Sequence, residues 1–303
     1  KLWNASRFVH MNLDDLKNDN DKLDISQLEE PERWILNRLD ETAVEVNKLL
    51  NKFKFNEAAK LIYEFTWNDY CDWYIEIAKT RFYGNDNKKK ELAQKVAVKT
   101  LKGILTLLHP YAPFITEEIW SFFRNKDDLD LIVSPWINPH EFIPDDDALK
   151  SFEVIKSTIS AVRMIRSKMN VPSNKRSNVI IRKGEKFESI IQNNSAIIKS
   201  LGNIENISFS NDSKKPKKSA TVVTNQMEIF IPLEGLIDFE IEISRLSKRL
   251  NELDKHVASI KHKLTNKKFI DRAPKEVVSH EKQKLDDMIV EYNLVKQNLD
   301  ILI

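Results

Sequence analysis

Flat aromatic rings stand beside amide and guanidinium groups at three places in the first part of this chain. Unpaired RNA bases are held by stacking on such rings, and by hydrogen bonds from amides or guanidinium groups to their edges. Residues three and four apart share one face of a helix, so each group can act together. We therefore predict a site for unpaired bases among three groups of residues: Trp3, Asn4 and Arg7; Arg33, Trp34, Asn37 and Arg38; and Arg81, Phe82 and Tyr83.

In a second interpretation, the aromatic rings belong to the core of a helical bundle and the arginines are exposed to solvent without a binding role. For the aromatic residues of the run that follows, we favour this interpretation. Those residues are Trp67, Tyr70 and Trp73. For Arg7 and Trp34 both interpretations stay open, because Trp34 flanks the apolar stripe of its helix, formed by Ile35 and Leu39, instead of joining it.

Residue spacing indicates no catalytic site in this chain. It contains no glycine-rich phosphate loop, no Cys/His metal spacing and no Ser-His-Asp arrangement. The single cysteine, Cys71, can form neither an intrachain disulfide nor a cysteine-based zinc site, and the six histidines are scattered. We therefore predict no catalytic and no metal-binding residues.

Composition favours a helix-rich protein of a reducing compartment. Of the 303 residues, 31% are charged, 41% are hydrophobic and only five are glycine. No apolar run approaches the length of a membrane span, and one cysteine fits the cytoplasm. The formal net charge is only +2, so nucleic-acid binding must rest on local basic patches.

Helical periodicity predicts a bundle over residues 1–145. Pro31 opens one helix, a second runs from about residue 56 to 80, and a third ends near residue 108. Pro110 and Pro113 then make a sharp corner before a fourth helix. An Asp-, Asn- and Pro-rich loop over residues 125–147 marks the boundary.

Residues 146–235 predict a small α/β domain. A helix from about residue 147 to 169 precedes four strand-like runs at 178–182, 206–209, 220–224 and 227–231. A further helix is predicted over 185–201, and a tight turn at Asn225-Gln226 predicts that the last two strands form a hairpin.

Residues 236–303 predict an antiparallel coiled-coil hairpin. Apolar residues advance in steps of three and four from Leu236 to Leu264, and again from Val278 to Leu302. Between Arg245 and Lys284, twelve Lys/Arg residues face five Asp/Glu residues. A basic outer half suits contact with a phosphate backbone, although charge runs are also ordinary on solvated coiled coils.

Three strings in this order resemble the valine, isoleucine and leucine members of the class I aminoacyl-tRNA synthetases. They are residues 1–9 (KLWNASRFV), 67–76 (WNDYCDWYIE) and 107–120 (LLHPYAPFITEEIW). The predicted hairpin, and its turn over residues 266–278 (NKKFIDRAPKEVV), resemble the valyl-tRNA synthetases. Isoleucyl enzymes usually end instead in a cysteine-rich zinc region. We expect a C-terminal fragment: a mainly α chain with a helical anticodon-binding bundle, a small α/β domain and a tRNA-binding arm.

The resemblance implies which residues contact tRNA. At the anticodon it implies Arg7, Arg33 and Trp34, with Asn4, Asn37, Arg81 and Phe82 as weaker candidates. The arm would brace the outer corner of the tRNA through backbone contacts from Lys261, Lys263, Lys267, Lys268, Arg272 and Lys275.

The resemblance also implies what these residues do not contain. The family's ATP-binding signatures and its editing domain are absent from this sequence. The parent is then a valine-tRNA ligase using ATP and magnesium, while this part binds valine-specific tRNA without a cofactor, as a cytoplasmic monomer. The alternatives are an isoleucyl or leucyl synthetase fragment, or a coiled-coil scaffold that binds protein.

Overall fold

The computed structural model describes residues 1–13, 16, 23–124, 129–138, 145–210, 216–225, 227–266 and 274–303. The chain divides into two compact units, Lys1–Lys156 and Ser157–Ile303. The predicted fold class, mainly α with one small sheet, is confirmed. The predicted domain boundaries after residues 145 and 235 stay predictions.

The first unit is a bundle of helices close to the predicted ones. Its helices are α1 (Leu2–His10), α2 (Glu30–Asn51), α3 (Phe55–Glu64), α4 (Ile75–Phe82), α5 (Asn87–Leu108), α6 (Pro113–Ser121) and the start of α7 (Asp146–Lys168). None of the helices among the described residues is long and apolar enough to cross a membrane.

The predicted second helix is not uniform. Between α3 and α4 the backbone is π-helical over Phe65–Tyr74, which changes the helical repeat within the aromatic run. Tyr70 and Tyr74 are fully buried and donate hydrogen bonds to the carbonyl oxygens of Ala97 (2.9 Å) and Ala93 (3.3 Å). The core interpretation is therefore confirmed for Tyr70 and also for Trp73, whereas Trp67 is half-exposed.

The proline corner has the predicted form. Helix α5 ends at Leu108, and Pro113 lies in the first turn of α6. Thr116, on the buried side of this turn, donates to the carbonyl oxygen of Ala112 (2.8 Å), and its hydroxyl oxygen lies 2.8 Å from Nδ1 of His109. This hydroxyl therefore links the two ends of the corner.

The second unit contains the remainder of α7 and a four-stranded sheet. The strands are β1 (Ser177–Arg182), β2 (Ile204–Phe209), β3 (Ser219–Thr224) and β4 (Met227–Pro232), in the order β2-β1-β4-β3. Strand β1 pairs parallel with β2 and antiparallel with β4, and β3 and β4 form the predicted antiparallel pair. The predicted helix over 185–201 is broken, because α8 (Glu188–Asn193) and α9 (Ser195–Gly202) are separated at Asn194.

Two long helices, α10 (Phe239–Thr265) and α11 (Lys275–Leu302), pack on each other in this unit. Asp238 caps α10 by accepting a hydrogen bond from the backbone N–H of Ile241. Ion pairs join Arg249 to Glu291 and Lys263 to Glu281. The residue further along α10 therefore pairs with the earlier residue of α11, as in two antiparallel helices. This register confirms an antiparallel hairpin, which we call the arm (residues 239–302).

Candidate nucleic-acid interface

An apolar pocket of about 250 Å³ opens between α1 and the end of α6. Trp3 and Phe122 are 42% and 48% exposed, and their ring centroids lie 6.2 Å apart at an interplanar angle of 76°. The ring of His10 meets that of Phe122 edge-on at 5.6 Å. We call this the α1–α6 pocket; its lining residues are Trp3, Ser6, Arg7, His10, Ile119, Phe122 and Phe123.

Helical spacing places these groups together. Trp3, Arg7 and His10 follow one another at intervals of four and three along α1, so they share one face, while Ala5 and Val9 are buried. Arg7 is exposed and forms no ion pair with any residue that the structure describes. Asn4 is exposed but does not line the pocket. Of the three residues predicted on this helix, Trp3 and Arg7 therefore line the same pocket.

Trp34 lies inside the bundle. Its indole is only 1% exposed and stacks on Phe152 of α7, with centroids 3.7 Å apart and planes 16° from parallel. The prediction that this ring stacks on a base is therefore wrong for this fold. The physical reason is that α2 is covered on more than one side, so a residue beside the Ile35 stripe is also buried.

Arg33 and Asn37 form a network with Asp145 at the start of α7. The Arg33 Nη1 donates to Asp145 Oδ2 (3.0 Å), while Asn37 accepts from the backbone N–H of Asp145 (2.9 Å) and donates to the carbonyl oxygen of Arg33 (2.9 Å). Asp145 in turn accepts from the N–H of Ala148 (2.8 Å). Asn37 is buried, whereas 39% of the Arg33 side chain is exposed, so its contact with tRNA stays a prediction.

Arg81 is a structural residue in this fold. Its side chain is 6% exposed and is paired with the fully buried carboxylate of Glu32 and, at 2.8 Å, with Glu29. Burial raises the pKa of Glu32, and the guanidinium of Arg81 opposes this shift. The predicted base contact of Arg81 is replaced by an internal ion pair, because a carboxylate removed from water requires a charged partner.

Phe82 is also part of the packing. It is buried and stacks on Phe8 of α1 at a centroid distance of 5.7 Å. The predicted anticodon contact of Phe82 is therefore corrected: the ring attaches α1 to α4. Among the seven anticodon candidates, Arg7 is the exposed cation that lines an aromatic pocket.

Sequence reasoning missed the α6 side of this pocket and His10. Phe122 and Phe123 follow directly after the helix that begins at the proline corner, and the signal was their position in the run WSFFR, where two aromatic rings precede Arg124. His10 was grouped with the scattered histidines, although its spacing from Trp3 and Arg7 placed it on their face.

Of the six arm residues predicted to contact the tRNA backbone, the structure describes the side chains of two. Lys261 is exposed, whereas Lys263 is paired with Glu281 at 2.5 Å. Lys267, Lys268, Arg272 and the side chain of Lys275 lie outside the described residues. In the part of the chain that the structure describes, no group of three His, Cys, Asp or Glu residues could hold a metal ion.

Two family models match this chain. Residues 32–181 match the anticodon-binding domain of tRNA ligases. The matched segment includes Phe122 but begins after α1. Residues 238–302 match the valyl tRNA synthetase tRNA binding arm. The fold therefore belongs to the class of tRNA ligase domains, and the match includes the α6 side of the pocket.

Valine–tRNA ligases are among the relatives of this chain. It is 40% identical over 304 residues to that of Syntrophotalea carbinolica and 39% identical over 304 residues to that of Listeria innocua, in each case over 100% of this chain and 34% of the relative. To that of Thermotoga maritima it is 38% identical over 286 residues, 94% of this chain and 32% of the relative. The chain belongs to the valyl-tRNA synthetase family and spans about a third of the length of these relatives.

Proposed function

We propose that this chain binds valine tRNA, with an unpaired anticodon base in the α1–α6 pocket and the sugar–phosphate backbone on the arm. One observation carries the proposal: a guanidinium without an ion-pair partner among the described residues, Arg7, stands on the wall of a pocket built from aromatic rings. Stacking on such rings is worth about 1–3 kcal/mol per base. Arg7 supplies the hydrogen bonds that distinguish one base edge from another.

The whole protein is, on this proposal, a valine–tRNA ligase, the name that the relatives carry. Attachment of valine, with ATP and magnesium, belongs to the parent and not to these 303 residues, which hold the anticodon and brace the tRNA. We further propose that the protein is a cytoplasmic monomer and that this part of it needs no cofactor. The two matched domain families support the assignment to tRNA.

The test is binding of this chain to valine tRNA and to copies with substituted anticodon bases, measured by fluorescence anisotropy. We expect Arg7→Gln and Trp3→Ala each to weaken binding of valine tRNA by about 1–3 kcal/mol, or roughly 5–150-fold. Arg7→Gln should change binding of the anticodon-substituted copies little, because its lost hydrogen bonds are those made with the correct base. Trp3→Ala should weaken binding of these copies as well, because every base can stack on an aromatic ring.

Lys52→Gln is the matched control for Arg7→Gln. Lys52 is an exposed cation of the same unit outside the pocket, so its loss changes the net charge equally. Equal weakening by Arg7→Gln and Lys52→Gln would leave only a general charge effect and contradict the pocket. Failure of the chain to bind any tRNA at low salt would contradict the proposed function and favour a protein-binding scaffold.

A further inference from the structure

Three cations of the arm are internally paired. Arg245 donates to Glu242 (2.7 and 2.8 Å), Arg249 to Glu291 (2.7 and 2.9 Å), and Lys263 to Glu281 (2.5 Å). The hydrogen bond from Lys263 holds the pKa of Glu281 below its usual value. These cations stabilise the hairpin, so their charge is already balanced within it.

A set of positions that includes unpaired cations lies on the outer face of α10. Its positions recur in steps of three and four, are all exposed, and lie on the side of the helix opposite the buried residues Leu246, Leu253 and Ile260. We call this set the outer stripe; it consists of Ser244, Lys248, Asn251, Lys255, Ala258 and His262.

The outer stripe has the chemistry of an anion-binding track. It contains no carboxylate, and neither Lys248 nor Lys255 forms an ion pair with any residue that the structure describes. The acidic neighbour Glu252 is itself within 3.5 Å of Arg249. At a rise of about 1.5 Å per residue, the basic positions 248, 255 and 262 are spaced about 10 Å apart along the helix. Between them stand small or uncharged side chains that let a backbone approach closely.

The outer face of α11 differs in chemistry. Its exposed positions include the carboxylate of Asp287, the amide of Gln283 and two exposed apolar residues, Val290 and Leu294. A phosphate backbone on this face would meet a negative charge and exposed apolar side chains that offer it no hydrogen bond. The two long faces of the arm are therefore not equivalent as RNA-binding surfaces.

The geometry points to the outer stripe of α10, with Lys248 and Lys255 as phosphate contacts, as the RNA-backbone site of the arm. This inference rests on the proposed function, since it names the face through which the arm binds tRNA. Of the two predicted contact residues whose side chains are described, Lys263 is paired with Glu281 and Lys261 is exposed; the inference adds the unpaired lysines nearer the base of the arm. Phosphate contacts of this kind position the RNA without reading its sequence.

Two double variants of the whole chain test the inference. Lys248→Gln/Lys255→Gln removes two charges from the outer stripe, and Lys282→Gln/Lys296→Gln removes two charges from exposed lysines of α11. The equilibrium constant for valine tRNA is measured over a range of salt concentrations. The slope of log K against log salt is negative, and each lost phosphate contact makes it shallower by about 0.7–0.9. We therefore expect the slope of the α10 variant to be shallower by about 1.4–1.8.

The α11 variant should keep nearly the slope of the unmodified chain. Equally shallower slopes in the two variants would overturn the inference, as would an unchanged slope in the α10 variant. In either case tRNA binding by the unmodified chain would still support the proposed function, whereas no binding by that chain would refute both. Circular dichroism at 222 nm checks that both variants keep the helical arm, and the α10 variant should retain its preference for the valine anticodon.

Discussion

Replacement of Arg81 by methionine should destabilise the first unit strongly. The substitution keeps a long apolar stem but removes the guanidinium that pairs with Glu32. Glu32 is fully buried, and its Oε2 atom has no hydrogen-bond partner among the described groups. The carboxylate would thus lose its charged partner while remaining out of water.

Breaking a buried ion pair by removing one partner costs about 3–5 kcal/mol. With a urea dependence of about 2 kcal/mol per molar, as for a domain of moderate size, the unfolding midpoint should fall by about 2 M. Glu32 should then have a further raised pKa, because its opposing guanidinium is gone. A raised folded-state pKa means that the folded chain binds more protons, so lowering the pH from 7 to 5 should restore up to about 2.7 kcal/mol.

Tryptophan fluorescence during urea unfolding is a suitable assay, because all six tryptophans lie at or before residue 136 and report on the first unit. The double variant Glu32→Gln/Arg81→Met should be more stable than Arg81→Met alone, since no buried charge is left unpaired. Arg7→Met, at an exposed and unpaired arginine, should change stability by no more than about 0.5 kcal/mol. A loss below about 1 kcal/mol in Arg81→Met, or no recovery in the double variant, would refute the reasoning.

Three further predictions concern packing, thiol chemistry and pH. Trp34→Ala should cost about 3–5 kcal/mol of unfolding free energy in the same urea assay, because it empties the space against Phe152, whereas Phe114→Ala at a 91% exposed ring should be nearly neutral. Burial raises the pKa of Cys71 to about 11, so little reactive thiolate is present at pH 8. Ellman's reagent should therefore react with the folded chain at least about 100-fold more slowly than with the urea-unfolded chain. Equal rates would contradict this burial. The pKa of Glu242 is lowered by its hydrogen bond from Arg245, so its stabilising contribution should be lost as the pH falls below about 4.5. In thermal unfolding followed by circular dichroism at 222 nm, the acid-induced decrease in melting temperature should be smaller for Glu242→Gln than for the unmodified chain. Equal decreases in melting temperature would contradict this role of Glu242.

Features that depend on neighbours along the chain were predictable from the sequence. Heptad spacing predicted both helices of the arm, and Pro110 and Pro113 predicted the corner between α5 and α6. These signals are local because a helix repeats every few residues and proline acts on its own turn. The hairpin of β3 and β4 was predictable for the same reason, whereas the sheet order, which brings β1 between β2 and β4, depends on distant pairing.

The burial of Trp34 and Arg81 could not be predicted in this way. Phe152, which covers Trp34, lies 118 residues further along the chain, and Glu32, which pairs with Arg81, lies 49 residues earlier. A single helix shows at most which face is apolar, not how many faces are covered by other helices. An aromatic ring beside a cation has the same local sequence in a base-binding site and in a core.

The pairing of each cation, and not its presence, therefore decides which of them can bind RNA. Arg33, Arg81, Arg249 and Lys263 each have a carboxylate partner, so recruiting them to a phosphate would first break an internal interaction. Arg7, Lys248 and Lys255 form no ion pair with any described residue, and binding at these positions carries no such cost. A formal net charge of +2 conceals this difference, since it counts paired and unpaired cations alike. An RNA surface on a nearly neutral chain then requires acids that are engaged elsewhere, as Glu32 and Glu281 are.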